Sequence, residues 1–319
     1  MKKQPVLILL VTLALISTWY VSRTVILPNI DVRIEHIDRI FSNQQTPPYQ
    51  YRVLKPLLGK LFETTISPFI PGIRGRHVLS YGLLDFMTFL GIFFAFYAYL
   101  RRNFSASASM IGVLALQAVI PLSTSGYYME GDFINLLFFI LGLSIIRQEK
   151  YGWFPLLMGL GALNREQTVF LLLWYLAHLI EQQTLTLRRL WYAFAGLLLW
   201  LAVFTAVRMY FGLKPTPYPF TLHIASNTNV GILFTSILPL WLSNVAGFVV
   251  LAALAFRKSD LFHRLAFLSL LIYIAFFFIN GNLWELAKFL PAYLILIPMS
   301  LQTLTGEPLR NMNAQETTD

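Results

Sequence analysis

Eight apolar runs, each long enough to cross a hydrocarbon layer about 30 Å thick, recur along this chain of 319 residues. They fall at about 5–22, 78–100, 107–125, 132–147, 188–210, 232–256, 261–279 and 287–305, with the charged residues confined to the connections. Inside lipid every backbone N–H and C=O must find a partner within the chain, so runs of this kind fold as helices or not at all. Composition agrees, because 57% of residues are hydrophobic and only 12% charged, against roughly a quarter charged in a soluble domain. The expected fold class is therefore all-α, a polytopic transmembrane helical bundle forming a single domain over 1–305, with a short polar cytoplasmic tail at 306–319.

The first run follows Lys2 and Lys3 and resembles a secretory signal, but it is long and no small-residue cleavage site follows it, so it reads as a retained anchor. The net charge of +9 comes from Lys and Arg at helix ends, where cytoplasmic retention and anionic headgroups account for it without a nucleic-acid partner. Absence of cysteine excludes disulfides and thiolate metal sites.

Residues 153–181 break the pattern. Two short apolar stretches, Phe154 to Leu163 and Val169 to Ile180, flank the polar cluster Asn164, Arg165, Glu166, Gln167 and Thr168. The positive-inside rule places Lys2 and Lys3, Arg101 and Arg102, Arg147 and Lys150, Arg188 and Arg189, and Arg257, Lys258 and Arg264 on one side. They share it only if 153–181 is a helical hairpin that returns to its starting side, giving about ten membrane segments and a cytoplasmic N-terminus. The opposite side then collects an external loop at 23–77, the turn at 127–132, the loop at 213–229 and the segment at 280–288, which are expected to converge.

These segments hold the candidate chemistry. In the external loop Ile30, Ile34, Ile37 and Phe41 recur at helical spacing with Asp31, Glu35 and Asp38 one position on, which predicts an amphipathic interfacial helix carrying a carboxylate stripe. Such a stripe suits a general base or a divalent cation; the plain alternative is a solvated face with Glu35 paired to Arg39. Arg52 and Lys55 sit among aromatic and proline residues and suit a phosphate, or ordinary headgroups. Glu130 and Asp132 mark a membrane-exit turn, where Asp132 reads as a helix cap or, with Glu130 and facing the first-loop carboxylates, as part of a general-base or metal site. Ionisable groups within membrane segments are costly and usually functional, which singles out Asn164, Arg165 and Glu166. Glu285 and Lys288 lie one helical turn apart before the last run, and His223 adds a titratable group.

In their order along the chain these features resemble the small bacterial members of the GT-C superfamily of membrane glycosyltransferases. The resemblance rests on the acidic first loop with Asp31, the stretch Tyr51, Arg52, Val53, Leu54, Lys55, Pro56, Leu57, Leu58, the Asn164, Arg165, Glu166 tip, and Glu285 before the Pro291-bearing helix. It implies transfer of a sugar from a polyprenyl-phosphate donor to an acceptor hydroxyl at the non-cytoplasmic face of a bacterial inner membrane. A first-loop carboxylate, Asp31 or its neighbours Glu35 and Asp38, would then be the base, while Arg165, Arg52, Lys55 or Lys288 balances charge on the lipid phosphate. Acceptor, donor sugar and any metal are not specified by the pattern. The competing expectation is a transporter or lipid flippase with a midplane site at the broken helix near Arg165.

Overall fold

The computed structural model describes residues 3–124, 126–129 and 131–309. Glu130 and residues 310–319 of the expected tail lie outside the described residues. All regular structure among the described residues is helical. Eight helical stretches are long and apolar enough to cross a membrane: Gln4–Phe41, Ile73–Leu100, Ala106–Ser123, Tyr127–Arg147, Leu187–Phe211, Val230–Ala255, Leu261–Asn280 and Leu286–Thr305. The chain is thus a multi-pass helical membrane protein in contact with lipid.

The first stretch departs from expectation. Helix α1 (Lys3–Val21) does not give way to a loop at residue 23 but runs through a π turn at Ser22–Ile26 and a 3-10 turn at Leu27–Asn29 into α2 (Ile30–Phe41). Pro28 is accommodated because it stands in the first positions of that 3-10 turn, where its missing N–H costs nothing. A continuous helix of 38 residues is about 57 Å long, nearly twice the hydrocarbon thickness, so α2 extends beyond the apolar layer. Its inward face also differs from the expected one. Arg33, Ile37 and Ile40 are buried while Phe41 is exposed, because the Arg33 guanidinium stacks 4.0 Å over the Tyr81 ring and donates to His77 at 2.6 Å.

After a short connection come α3 (Leu54–Ile66), α4 (Ile73–Leu100), α5 (Ala106–Ser123) and α6 (Gly131–Arg147). The 153–181 region forms α7 (Phe154–Asn164), a 3-10 turn at Glu166–Phe170 and α8 (Leu171–Glu181). Each of these helices has 11 residues, about 16 Å, half of what a crossing needs. The 3-10 turn folds back tightly on α7 because Gly161 has no side chain: a Cβ there would stand 2.5 Å from the Thr168 methyl. Next come α9 (Leu187–Phe211) and α10 (Phe220–Thr228). A single span is then built from α11 (Val230–Ile232), α12 (Leu238–Trp241) and α13 (Gly247–Ala255), joined by π turns, and α14 (Leu261–Asn280) follows. The last stretch opens as a 3-10 segment, Leu286–Ala292, and continues as α15 (Tyr293–Thr305); it is the most enclosed of the eight.

Local chemistry fixes several ends. Ser105, Thr186 and Asp260 cap α5, α9 and α14 by accepting from the third backbone N–H beyond them. One apolar cluster runs through α1, α4, α6, α8, α14 and α15. Where α6 ends, Arg147 meets Glu181 and Asp260, and Asp260 and Tyr99 both contact His263 at 2.6 and 3.0 Å. That charged knot ties α4, α6, α8 and α14 together at the end of the bundle opposite the start of α6.

Candidate functional site

Where α6 begins, the connections that the charge pattern places together do meet. Arg165 leaves the end of α7 in extended conformation, φ −154° and ψ 145°, which turns its side chain toward Gly131 and Asp132 rather than along the helix. Its Nη2 lies 3.0 Å from Asp132 Oδ2 and donates to the Tyr128 carbonyl at 3.0 Å. Asn164 donates to the Gly131 carbonyl at 2.9 Å, so the hairpin tip is stapled to α6 at two points. The partner of Arg165 is therefore Asp132, not its neighbour Glu166, which instead takes Arg208 at 3.1 Å and Arg52 at 3.6 Å.

The ion pair is close but poorly aligned. Neither Asp132 oxygen and not the Arg165 Nε has a hydrogen bond among the described residues, although both side chains are almost fully buried. Arg52 Nε is likewise unsatisfied. Buried polar atoms in this state cost on the order of 1–3 kcal/mol each, so three charged groups here are poised to take a polar ligand or water.

Two small inner cavities touch this pair. One, of about 60 Å³, is lined by Arg33, Arg52, Lys55, Asn164 and Arg165 among others. The second, of about 70 Å³, is lined by Asp132, Arg165, His223, Glu285 and Lys288 as well as Arg52. Lys288 pairs with Glu285 at 2.6 Å, Asn282 donates to Glu285 at 2.7 Å, and His223 meets Asn282 at 3.0 Å. Burial alone would raise the Glu285 carboxyl, but the Lys288 ammonium and these hydrogen bonds outweigh it and hold the group below the ordinary glutamate range. Lys55 is engaged at 2.5 Å by Asp85, a carboxylate within the span of α4.

The first-helix carboxylates are elsewhere. Asp31 forms a bidentate pair with Arg74 on an exposed surface, and Asp38 is exposed; neither lines the inner cavities. Glu35 pairs with Arg39 and lines a wider outer depression of about 290 Å³ that shares His36, Tyr49, Tyr127 and Tyr128 with the first inner cavity. The cause is the rotation of α2 that buries Arg33. Glu130 lies outside the described residues. No group of three or more His, Asp or Glu side chains able to hold a metal ion occurs among the described residues.

The site rests on an outer latch. Tyr51 donates to the Gly212 carbonyl at 2.9 Å, and Lys214 Nζ bonds Asn43 through its carbonyl at 2.6 Å and its side chain at 2.7 Å. Arg208 lies 4.5 Å over the Tyr51 ring. Beneath, the Tyr273 hydroxyl donates to the Lys288 carbonyl at 2.6 Å and lies 2.9 Å from the Gln167 side-chain oxygen, which accepts from Asn135 at 2.9 Å. Asp85 and Arg208 were within reach of the same reasoning that singles out Arg165, since each is a charge in an apolar run. Arg33, His36, Tyr49 and Tyr218 gave no comparable signal.

No protein-family model, curated protein or solved structure matches this chain.

Proposed function

We propose that the chain is a membrane glycosyltransferase of the GT-C type, which moves a sugar from a polyprenyl-phosphate donor to an acceptor hydroxyl. The observation that carries the reading is the meeting of Arg52, Arg165 and Lys288 with the hydrogen-bond-poor Asp132 around adjoining cavities at one end of the bundle. Clustered guanidinium and ammonium groups in a partly dry site suit a lipid phosphate and stabilise the charge it gains on leaving. By the positive-inside rule this end is non-cytoplasmic and the N-terminus cytoplasmic, and the resemblance to small bacterial members implies a bacterial inner membrane. Counting the two arms of the 153–181 hairpin, the chain has ten membrane segments.

In the reaction the acceptor oxygen bonds to the anomeric carbon as the bond from that carbon to the phosphate oxygen breaks. The electron pair of the broken bond stays on the phosphate, held by Arg165, Arg52 and Lys288. The acceptor proton passes to a carboxylate and then to water. Among the first-helix acids Glu35 is placed for this, because it lines the depression that shares a wall with the inner cavity. Inner cavities of about 60 and 70 Å³ are far below the roughly 300 Å³ of a ligand pocket, so donor binding requires the tip or the outer latch to move.

A flippase reading draws on one observation: two interrupted segments, 164–170 and 286–292, are bridged by the Tyr273 hydroxyl. Transfer from labelled polyprenyl-phosphate hexoses by the purified protein in lipid nanodiscs decides between them. Wild type is expected to cleave donor, with Glu35→Gln and Arg165→Ala inactive and Asp31→Asn active. Absence of both donor binding and donor cleavage overturns the reading; transbilayer movement of intact donor establishes the flippase.

A further inference from the structure

The outer depression differs in chemistry from the cavities beneath it. Its volume of about 290 Å³ reaches the lower end of the range typical of ligand pockets. Four tyrosines, Tyr49, Tyr127, Tyr128 and Tyr218, form its wall, and Val32 is its one aliphatic lining residue. A lipid tail therefore finds no apolar floor there.

The rings are fixed against one another edge to face. Centroids of Tyr49 lie 6.0 Å from Tyr128 and 6.4 Å from Tyr218, and Tyr127 lies 5.7 Å from Tyr128. His36 packs edge-on between Tyr49 and Tyr127 at 5.4 and 5.5 Å, and the Gln45 amide contacts its Nδ1 at 2.7 Å. Yet none of the four phenol hydroxyls has a hydrogen bond among the described residues. Burial, only partly offset by Arg52, pushes the Tyr49 phenol up to about 12, so it remains a neutral donor across the physiological range.

Ring bodies held rigid with free hydroxyls offer apolar area and hydrogen-bonding tips at small entropic cost. A pyranose presents the matching surface, a face of C–H groups rimmed by hydroxyls. Ammonium or phosphate ligands would instead call for a single sign of charge, whereas Glu35 and Arg39 here neutralise each other.

We infer that this depression is the acceptor site and that it takes a saccharide presented from the aqueous side. The inference rests on the glycosyltransferase reading, and it names the acceptor class that reading leaves open. The saccharide lies against the tyrosine wall with one hydroxyl beside Glu35, and the shared residues His36, Tyr49, Tyr127 and Tyr128 separate it from the donor phosphate.

Saturation-transfer NMR on the protein in nanodiscs, with maltotriose, chitotriose and mannotriose as probes and no donor present, tests the site independently of turnover. At least one trisaccharide is expected to receive saturation, with affinity falling roughly tenfold in Tyr218→Ala and less in Tyr218→Phe. Tyr127→Ala serves as the second variant, and size-exclusion profiles confirm that both fold. No saturation of any probe by wild type, or binding unchanged in both alanine variants, overturns the assignment. Binding that depends on the tyrosines without donor cleavage upholds the saccharide site and overturns the transferase reading instead.

Discussion

Arg165 and Asp132 form a buried ion pair, Nη2 to Oδ2 3.0 Å, that joins the tip of a helical hairpin to the first turn of α6 across 33 positions of sequence. Removing one member leaves the other charged and dry. Arg165→Ala is expected to cost about 3–5 kcal/mol, read as a loss of thermal stability in nanodiscs. Replacing both, as Asp132→Leu with Arg165→Met, is expected to recover most of that loss while abolishing donor binding. Equal instability of the single and double variants contradicts the pair.

The close approach of the 3-10 turn to α7 makes a second measurement simple. Gly161→Ala drives a methyl into Thr168 and is expected to destabilise by about 1–3 kcal/mol. Adding Thr168→Ala removes the methyl and hydroxyl but leaves the Cβ of residue 168 only 2.8 Å away, so the double variant should regain part of the stability. No recovery would place the strain elsewhere.

Lys214 holds the 212–219 loop to Asn43 over the site. Lys214→Ala removes these bonds at a local cost of about 1–2 kcal/mol. Proteinase K cleavage within the 212–219 loop is then expected to quicken roughly 5- to 30-fold, with the global melting temperature little changed. Unaltered cleavage would show that Tyr51 alone secures the loop.

At the other end of the bundle, burial would raise the Asp260 carboxyl, but the neighbouring His263 with its hydrogen bonds and the Arg147 guanidinium prevail and lower it to about 2. The folded value is thus below the ordinary 3.8 of the unfolded chain. The resulting stabilisation, about 2 kcal/mol, is fully present above pH about 4 and is lost as pH falls toward 2. Wild type minus Asp260→Asn, compared by denaturation between pH 6 and pH 2, is expected to shrink through this window. A difference independent of pH would mean that the cap alone, and not the charge, matters.

How much of this was legible in the sequence depends on range. The eight spans were, because apolar runs of crossing length have one solution in lipid. The hairpin was too, since Asn164, Arg165 and Glu166 interrupt two half-length stretches. The orientation of α2 was not: its apolar spacing favoured Ile30 and Ile34, while a partner 44 positions away, His77, turned Arg33 inward and left Asp31 and Asp38 outside. The same limit hid the tyrosine wall, whose members come from three separate connections. Local periodicity ranks faces by hydrophobicity and is blind to a distant group that rewards burying a charge.

The enclosure of the last stretch bears on how the chain is made. Leu286–Thr305 is the least hydropathic of the eight spans and the most surrounded by protein. Its affinity for lipid alone is the weakest, so its partition out of the insertion channel relies on helices already in place. The segment that brings Lys288 to the site therefore joins as a keystone, and a ribosome-released chain lacking it would leave the faces of α5 and α13 without the helix they pack against.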